Sequence, residues 1–195
     1  MKEQSYDYVI IGAGPAGLQM GYHLKQSGLR YLILEGGDKP GAFFETFPRH
    51  RKLISVNKLY TGSTDPEFNM RHDWNSLLCD EEALRLGKYD QDFFPHADSL
   101  VRYLQDYTDH YALNVRYGFK VNSIAKQDEL FTVTARQGDT VSARFVIVAT
   151  GLSKPILPAI PGIDLIENYV DMSLDTVEFR NRRVLILGKG NSAFW

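Results

Sequence analysis

"DYVIIGAGPAGL", residues 7–18, decides how this chain is read. An apolar, β-branched run stops at Gly12, and a turn of small residues leads into "PAGLQMGYHLKQSG", residues 15–28. The run reads as a buried parallel strand. Leu18, Tyr22 and Leu24 fit a helix packed on a sheet, and Gly28 fits its C-terminal stop. "YLILE", residues 31–35, is the next strand. Together they make a strand–turn–helix–strand unit of about thirty residues, the size of a βαβ crossover.

Within the turn, Gly12, Gly14 and Gly17 have G-x-G-x-x-G spacing, with Pro15 and Ala16 between them. Gly12 permits the tight turn. Gly14 leaves the backbone open to a pyrophosphate. Gly17 lets the helix approach the strand, whose neighbouring helix N-terminus faces the phosphates. Glu35 follows about twenty residues on, where a carboxylate accepts hydrogen bonds from ribose hydroxyls. The alternative is a purely structural glycine turn. The strand before it, the helix after it and the acidic residue together favour a dinucleotide site.

Composition narrows the class. With 195 residues, 44% hydrophobic and 24% charged, the chain suits one full domain and the start of another. A net charge of -2 gives no reason to expect nucleic acid as a partner. The single cysteine, Cys79, rules out a redox pair within the chain and reads as a bystander. No signal peptide or membrane span is visible, so the default location is cytoplasmic. The five histidines show no metal spacing, and no metal site is expected.

Further along, residues 36–94 lose regular pattern, as functional loops do. "ADSLVRYLQDYTDHY", residues 97–111, is helical, with Leu100, Tyr103, Leu104 and Tyr107 on one face. Residues 113–119 contain a strand. "FKVNSIAKQ", "ELFTVTAR" and "DTVSAR" read as three short antiparallel strands, and "FVIVATG", residues 145–151, as a separate buried one. "LSKPILPAIPGI" is an extended linker, and "RRVLILGKGNS", residues 182–192, a strand entering a second glycine turn.

These motifs, in this order, resemble the flavin-containing monooxygenase-like FAD-dependent oxidoreductases. "GAFFETFPRHRKLISVNKLYTG" and "DPEFNMRHDWNSLL" resemble the subgroup named FAD-dependent oxidoreductase domain-containing proteins. The resemblance implies an α/β fold: a Rossmann-like FAD-binding domain, built of a parallel sheet with helices plus an antiparallel β-meander, and a second NAD(P)-binding domain only begun. The expected bounds are 1–160 for the first domain, 161–182 for a linker and 183–195 for the start of the second. After Gly190 too few residues remain for the helix of that turn. The rest of the flavoprotein, or another chain, is expected to complete the fold.

The resemblance also implies site residues. Phe43 and Phe44 stand in the family's aromatic stretch beside FAD, with Phe44 in place of a tryptophan. Asn57 matches an asparagine near the reactive edge of the flavin, where an amide both donates and accepts; loop capping is the plain alternative. Lys58 is a second candidate, against an ordinary exposed lysine. Val121 would meet the adenine through its backbone, and Thr150 and Gly151 would turn beside the flavin. Gly188, Gly190, Asn191 and Ser192 would hold NAD(P)H. His72 either lines the pocket or makes a structural hydrogen bond. "RHRK", residues 49–52, reads as a solvated basic turn in preference to a phosphate site. The implied activity is NAD(P)H-linked, FAD-dependent oxidation of a small molecule at nucleophilic nitrogen or sulfur. The alternatives are an FAD-binding fragment or pseudoenzyme without turnover, and a simple NAD module. The histidine motif of Baeyer–Villiger monooxygenases is absent from "IPGIDLIENYVDMS".

Overall fold

A computed structural model describes residues 5–81, 83–152, 156–190 and 193. Its centre is a mixed six-stranded sheet with strand order β3-β2-β1-β6-β5-β4. β1 (Tyr6–Ile11) runs parallel to β2 (Tyr31–Leu34) and to β6 (Thr140–Val148), and β2 runs parallel to β3 (Val115–Arg116). β4 (Val121–Gln127), β5 (Leu130–Ala135) and the first half of β6 form an antiparallel meander.

The two faces of β1 show why its second half, Val9 to Ile11, is entirely apolar and buried. Ile10 faces α1 (Pro15–Gln26) and α4 (Ala97–His110), in a core with Leu18, Ile33, Tyr103 and Tyr107. Val9 and Ile11 face the other way, into a core with Leu32, Leu34, Phe119, Val133 and Val141. Side chains alternate with period two, so a strand buried on both faces has no polar positions. The predicted stripe of α4 is buried as expected: Leu100, Tyr103, Leu104 and Tyr107 all lie in the first core. α1 stops where expected, with Gly28 at φ +68 and its N–H bonded to the Lys25 carbonyl.

Two strand expectations need correction. "DTVSAR" and "FVIVATG" are not separate strands but the two halves of β6. The first half pairs with β5 and the second with β1, and no turn residue separates Arg144 from Phe145. The strand expected at residues 183–187 is not formed. Val184 to Leu187 are irregular and 56–83% exposed. An apolar run becomes a strand only where a neighbour completes its ladder, and here none of the described residues does.

Between the regular elements lie the short α2 (Phe43–Thr46), α3 (Pro66–His72) and α5 (Thr176–Phe179). The basic turn at residues 49–52 is pinned rather than solvated. Arg49 donates to the carbonyls of Val170 (2.6 Å) and Met172 (2.8 Å), and its backbone N–H donates to the Tyr169 hydroxyl. Arg51 pairs with Asp98 and Lys52 with Asp92. Arg49 thus fastens part of the expected linker to the first unit. No helix among the described residues is long and apolar enough to cross a membrane.

The tightest packing is between backbones. A Cβ on Gly17 would sit 1.9 Å from the Gly12 carbonyl oxygen, whereas one on Gly14 meets nothing within 4 Å. Gly17→Ala is therefore expected to cost about 3 kcal/mol or more, and Gly14→Ala about 1 kcal/mol or less, in urea unfolding. Equal losses would contradict this packing.

Candidate functional site

Several of the expected residues meet where the parallel strands end. Gly12, at φ +107, closes the turn after β1, and a Cβ there would lie 2.5 Å from the Ala149 carbonyl oxygen. The Ala149 N–H donates to the Ile11 carbonyl, which holds Thr150 and Gly151 beside the first turn. α1 begins at Pro15 with Gly14 as N-cap. No side chain caps this helix end, and its first turn has no acidic residue. The helix itself thus supplies nothing to offset its positive end; the Glu35 carboxylate meets the N–H of Ala13, the residue before the N-cap. The space over Gly14 is open.

Glu35 has a role beyond the one expected. One carboxylate oxygen accepts from the Ala13 N–H and the other from the Gly37 N–H, both at 2.7 Å. The carboxylate clamps the glycine turn to the loop after β2. Each oxygen keeps a second lone pair, so ribose hydroxyls remain possible partners. Val121 lies nearby in chain terms: the Phe119 N–H donates to the Glu35 carbonyl and the Gly118 N–H to that of Gly37. The Tyr117 hydroxyl is buried without a hydrogen-bond partner among the described residues. Burial first, then the charges of Asp109 and Glu35, push its pKa up to about 12.

The aromatic stretch is anchored by the Gly41 N–H, which donates to the Ala13 carbonyl. Phe44 packs against the first core, while Phe43 is exposed and stacks on Phe47 at 5.1 Å. Phe43, not Phe44, is thus the more exposed of the two rings.

Asn57 is 7% exposed and lines a cleft of about 590 Å³ with Val56, Lys58, Tyr60, Gln91 and Phe93. Its amide donates to the Asp90 carbonyl at 2.6 Å, and its backbone N–H to the Phe93 carbonyl at 2.8 Å. The Asp90 side chain supports this arrangement by accepting from the N–H groups of Asp92 and His96. Burial would raise the Asp90 pKa, but the backbone donors of His96 and Asp92, joined by the Ser99 hydroxyl and the His96 charge, together hold the carboxyl below its ordinary value. His72 makes the structural hydrogen bond, its Nδ1 meeting the Phe68 carbonyl at 2.9 Å, and its side chain also borders the cleft. The Lys58 ammonium lies 3.3 Å from the centre of the Trp74 ring, a contact worth about 0.5–1 kcal/mol at an exposed site.

The second glycine turn is not part of this arrangement. Gly188 and Gly190 are exposed and outside any strand, and Asn191 and Ser192 lie outside the described residues. No group of side chains suited to a metal occurs among the described residues. Sequence reasoning missed Gly37, although a glycine two residues after the strand-end acid signals a backbone donor. It also missed Gln91 and Phe93, which come from a distant loop and carry no local signal.

Glu35→Ala is expected to cost about 1–3 kcal/mol of stability by orphaning two backbone donors, with Glu35→Gln intermediate. Denaturant titration measures both, and a neutral Glu35→Ala would contradict the clamp. The Asp90 contribution is complete above its ordinary pKa of 3.8 and is lost as pH falls through its lower folded value. Asp90→Asn should therefore destabilise at neutral pH, with the difference from wild type closing in acid. A difference that stays constant with pH would contradict this.

Comparison with known proteins bears out the resemblance. The chain is 45% identical over 194 residues to FAD-dependent oxidoreductase domain-containing protein 2 of Danio rerio, covering 97% of this chain and 28% of that protein. Among solved structures, a flavin-containing monooxygenase from Stenotrophomonas maltophilia is 30% identical with a TM-score of 0.58, over 75% of this chain and 38% of that one. The crystal structure of OTEMO in complex with FAD and NADP is 25% identical with a TM-score of 0.59, over 84% of this chain and 29% of that one. The chain therefore spans less than a third of the length of the Danio rerio relative. Residues 9–194 match the family profile described as pyridine nucleotide-disulphide oxidoreductase, so the chain belongs to that family.

Proposed function

We propose that this chain binds FAD along the C-terminal ends of its parallel strands, as the FAD-binding part of an NAD(P)H-linked oxidoreductase of the flavin monooxygenase type. In this reading residues 1–160 form the FAD-binding domain, 161–182 the linker and 183–195 the start of an NAD(P)-binding domain. The observation that carries it is the cradle at Gly14: open space above the glycine, an uncapped helix N-terminus, and the Glu35 carboxylate at the next strand end. These features fit a dinucleotide. The N-terminus of α1 would take the pyrophosphate, Glu35 the adenosine ribose and the Val121 backbone the adenine. Phe43, Thr150 and Gly151 would border the flavin, and Asn57 its reactive edge.

Bound flavin would supply two-electron chemistry between NAD(P)H and oxygen, oxidising a nucleophilic nitrogen or sulfur. The chain's own residues would position and shield. Phe43 and Phe93 would exclude water, and Asn57, held by the Asp90 carbonyl, would present a fixed amide to the reacting edge. The single cysteine leaves no dithiol within these residues, so disulfide reduction by a cysteine pair in this chain is not part of the reading. A small-molecule substrate and a cytoplasmic location belong to the same proposal.

A second reading, an FAD-binding fragment without turnover, is favoured by one observation: residues 183–187, expected to lead into the NAD(P) turn, are unpaired and exposed.

Gly14→Val separates binding from folding, because nothing in the protein opposes a side chain there. It should weaken FAD binding at least tenfold, about 1.4 kcal/mol, with little change in stability. Unchanged affinity would reject the site. With wild type, flavin absorbance that bleaches on anaerobic NADPH addition supports the oxidoreductase reading. Bands that persist support the fragment reading.

A further inference from the structure

The cleft beside Asn57 has an unusual balance of charge. Its walls include Tyr60, Phe68 and Phe93, its polar groups are amides, the hydroxyls of Tyr60 and Thr61, and His72, and Lys58 is its one permanently charged side chain among the described residues. The surrounding carboxylates are engaged elsewhere. Asp65 caps α3, Glu67 pairs with Arg71, Asp90 accepts two backbone N–H groups, and Asp92 pairs with Lys52. Among the described residues no ion pair involves Lys58. Its ammonium is instead held over the face of Trp74, which is itself 70% exposed. A ring face attracts a cation without neutralising it. Trp74 is not part of the cleft lining, but Lys58 is, so the lysine charge is held locally, is not neutralised, and can reach a ligand in the cleft at a smaller entropic cost than a freely moving lysine would carry.

We propose that this cleft takes a planar, largely apolar substrate bearing an anionic group, and that Lys58, positioned by Trp74, selects the anion. This rests on the reading of the cleft as the reaction cavity. Aromatic walls would take the body of the molecule, and the ammonium its carboxylate or sulfonate. Lys58 follows Asn57 directly in the chain. Both residues line the cleft, so a molecule whose anion Lys58 holds would share the cleft with the residue assigned to the reactive edge.

The test uses a matched pair, 2-naphthoate and neutral 2-naphthamide, titrated calorimetrically into the 195-residue chain without and with FAD. Wild type should bind the anion about tenfold more tightly than the amide, the scale of a charge-assisted hydrogen bond, and the preference should shrink as salt rises. Lys58→Met should abolish the preference while leaving amide binding unchanged, and Lys58→Arg should retain it. Equal affinities in wild type, or a preference that survives Lys58→Met, would overturn the proposal. So would displacement of the anion by FAD, since the cleft would then be a flavin subsite. FAD binding is followed separately by visible absorbance. Its failure would count against the flavoprotein reading, while the Lys58 comparison without FAD would still decide the anion preference.

Discussion

Backbone meets backbone where β1 enters α1, and no side chain can be inserted there. Gly17 lies so close to the Gly12 carbonyl that even a methyl group is excluded, and a Cβ on Gly12 would likewise clash with the Ala149 carbonyl. Glu35 then ties the turn to the loop after β2 through two backbone N–H groups. Three strand ends, β1, β2 and β6, are locked together by these contacts. With the backbone held on the protein side, the helix end and the open face of Gly14 are left free, and in the proposed reading they would form a preformed anion site. Binding there requires little ordering, which favours affinity.

The same strand ends reach the cleft through a chain of contacts. Gly41 bonds to Ala13, and the aromatic stretch after Gly41 leads to the basic turn, which Arg49, Arg51 and Lys52 pin to three different segments. Leu53 bonds to Pro95 and Asn57 to Phe93, so the strand of loop carrying Asn57 runs beside the loop before α4. The long irregular region is therefore held by backbone and ionic contacts at intervals, without a sheet of its own. That is how a loop can hold a buried amide in a fixed orientation.

Much of this was legible in the sequence because it depends on local periodicity. The glycine spacing, the apolar run of β1, the helical stripe of α4 and the acid at the end of β2 all lie within single elements. What was not legible depends on distant partners. Nothing in "DTVSARFVIV" says that one strand changes neighbours from β5 to β1. Val184 to Leu187 have the composition of a buried strand, yet composition cannot supply the adjacent strand. Phe43 and Phe44 are adjacent and identical in type, and only tertiary packing decides that Phe44 faces the core. The basic turn looked solvated because its acceptors, the carbonyls of Val170 and Met172, are far along the chain. Gln91 and Phe93 joined the cleft for the same reason.

In the proposed reading FAD occupies the first glycine turn of this chain and not the second. Two-dimensional ¹H–¹⁵N NMR of the labelled chain during FAD titration tests it residue by residue. The amides of Gly14, Ala16, Gly17 and Gly37 are expected to shift together with one affinity, while those of Gly188 and Gly190 stay in place. Shifts confined to Gly188 and Gly190, or no shift in the first turn at saturating FAD, would contradict it.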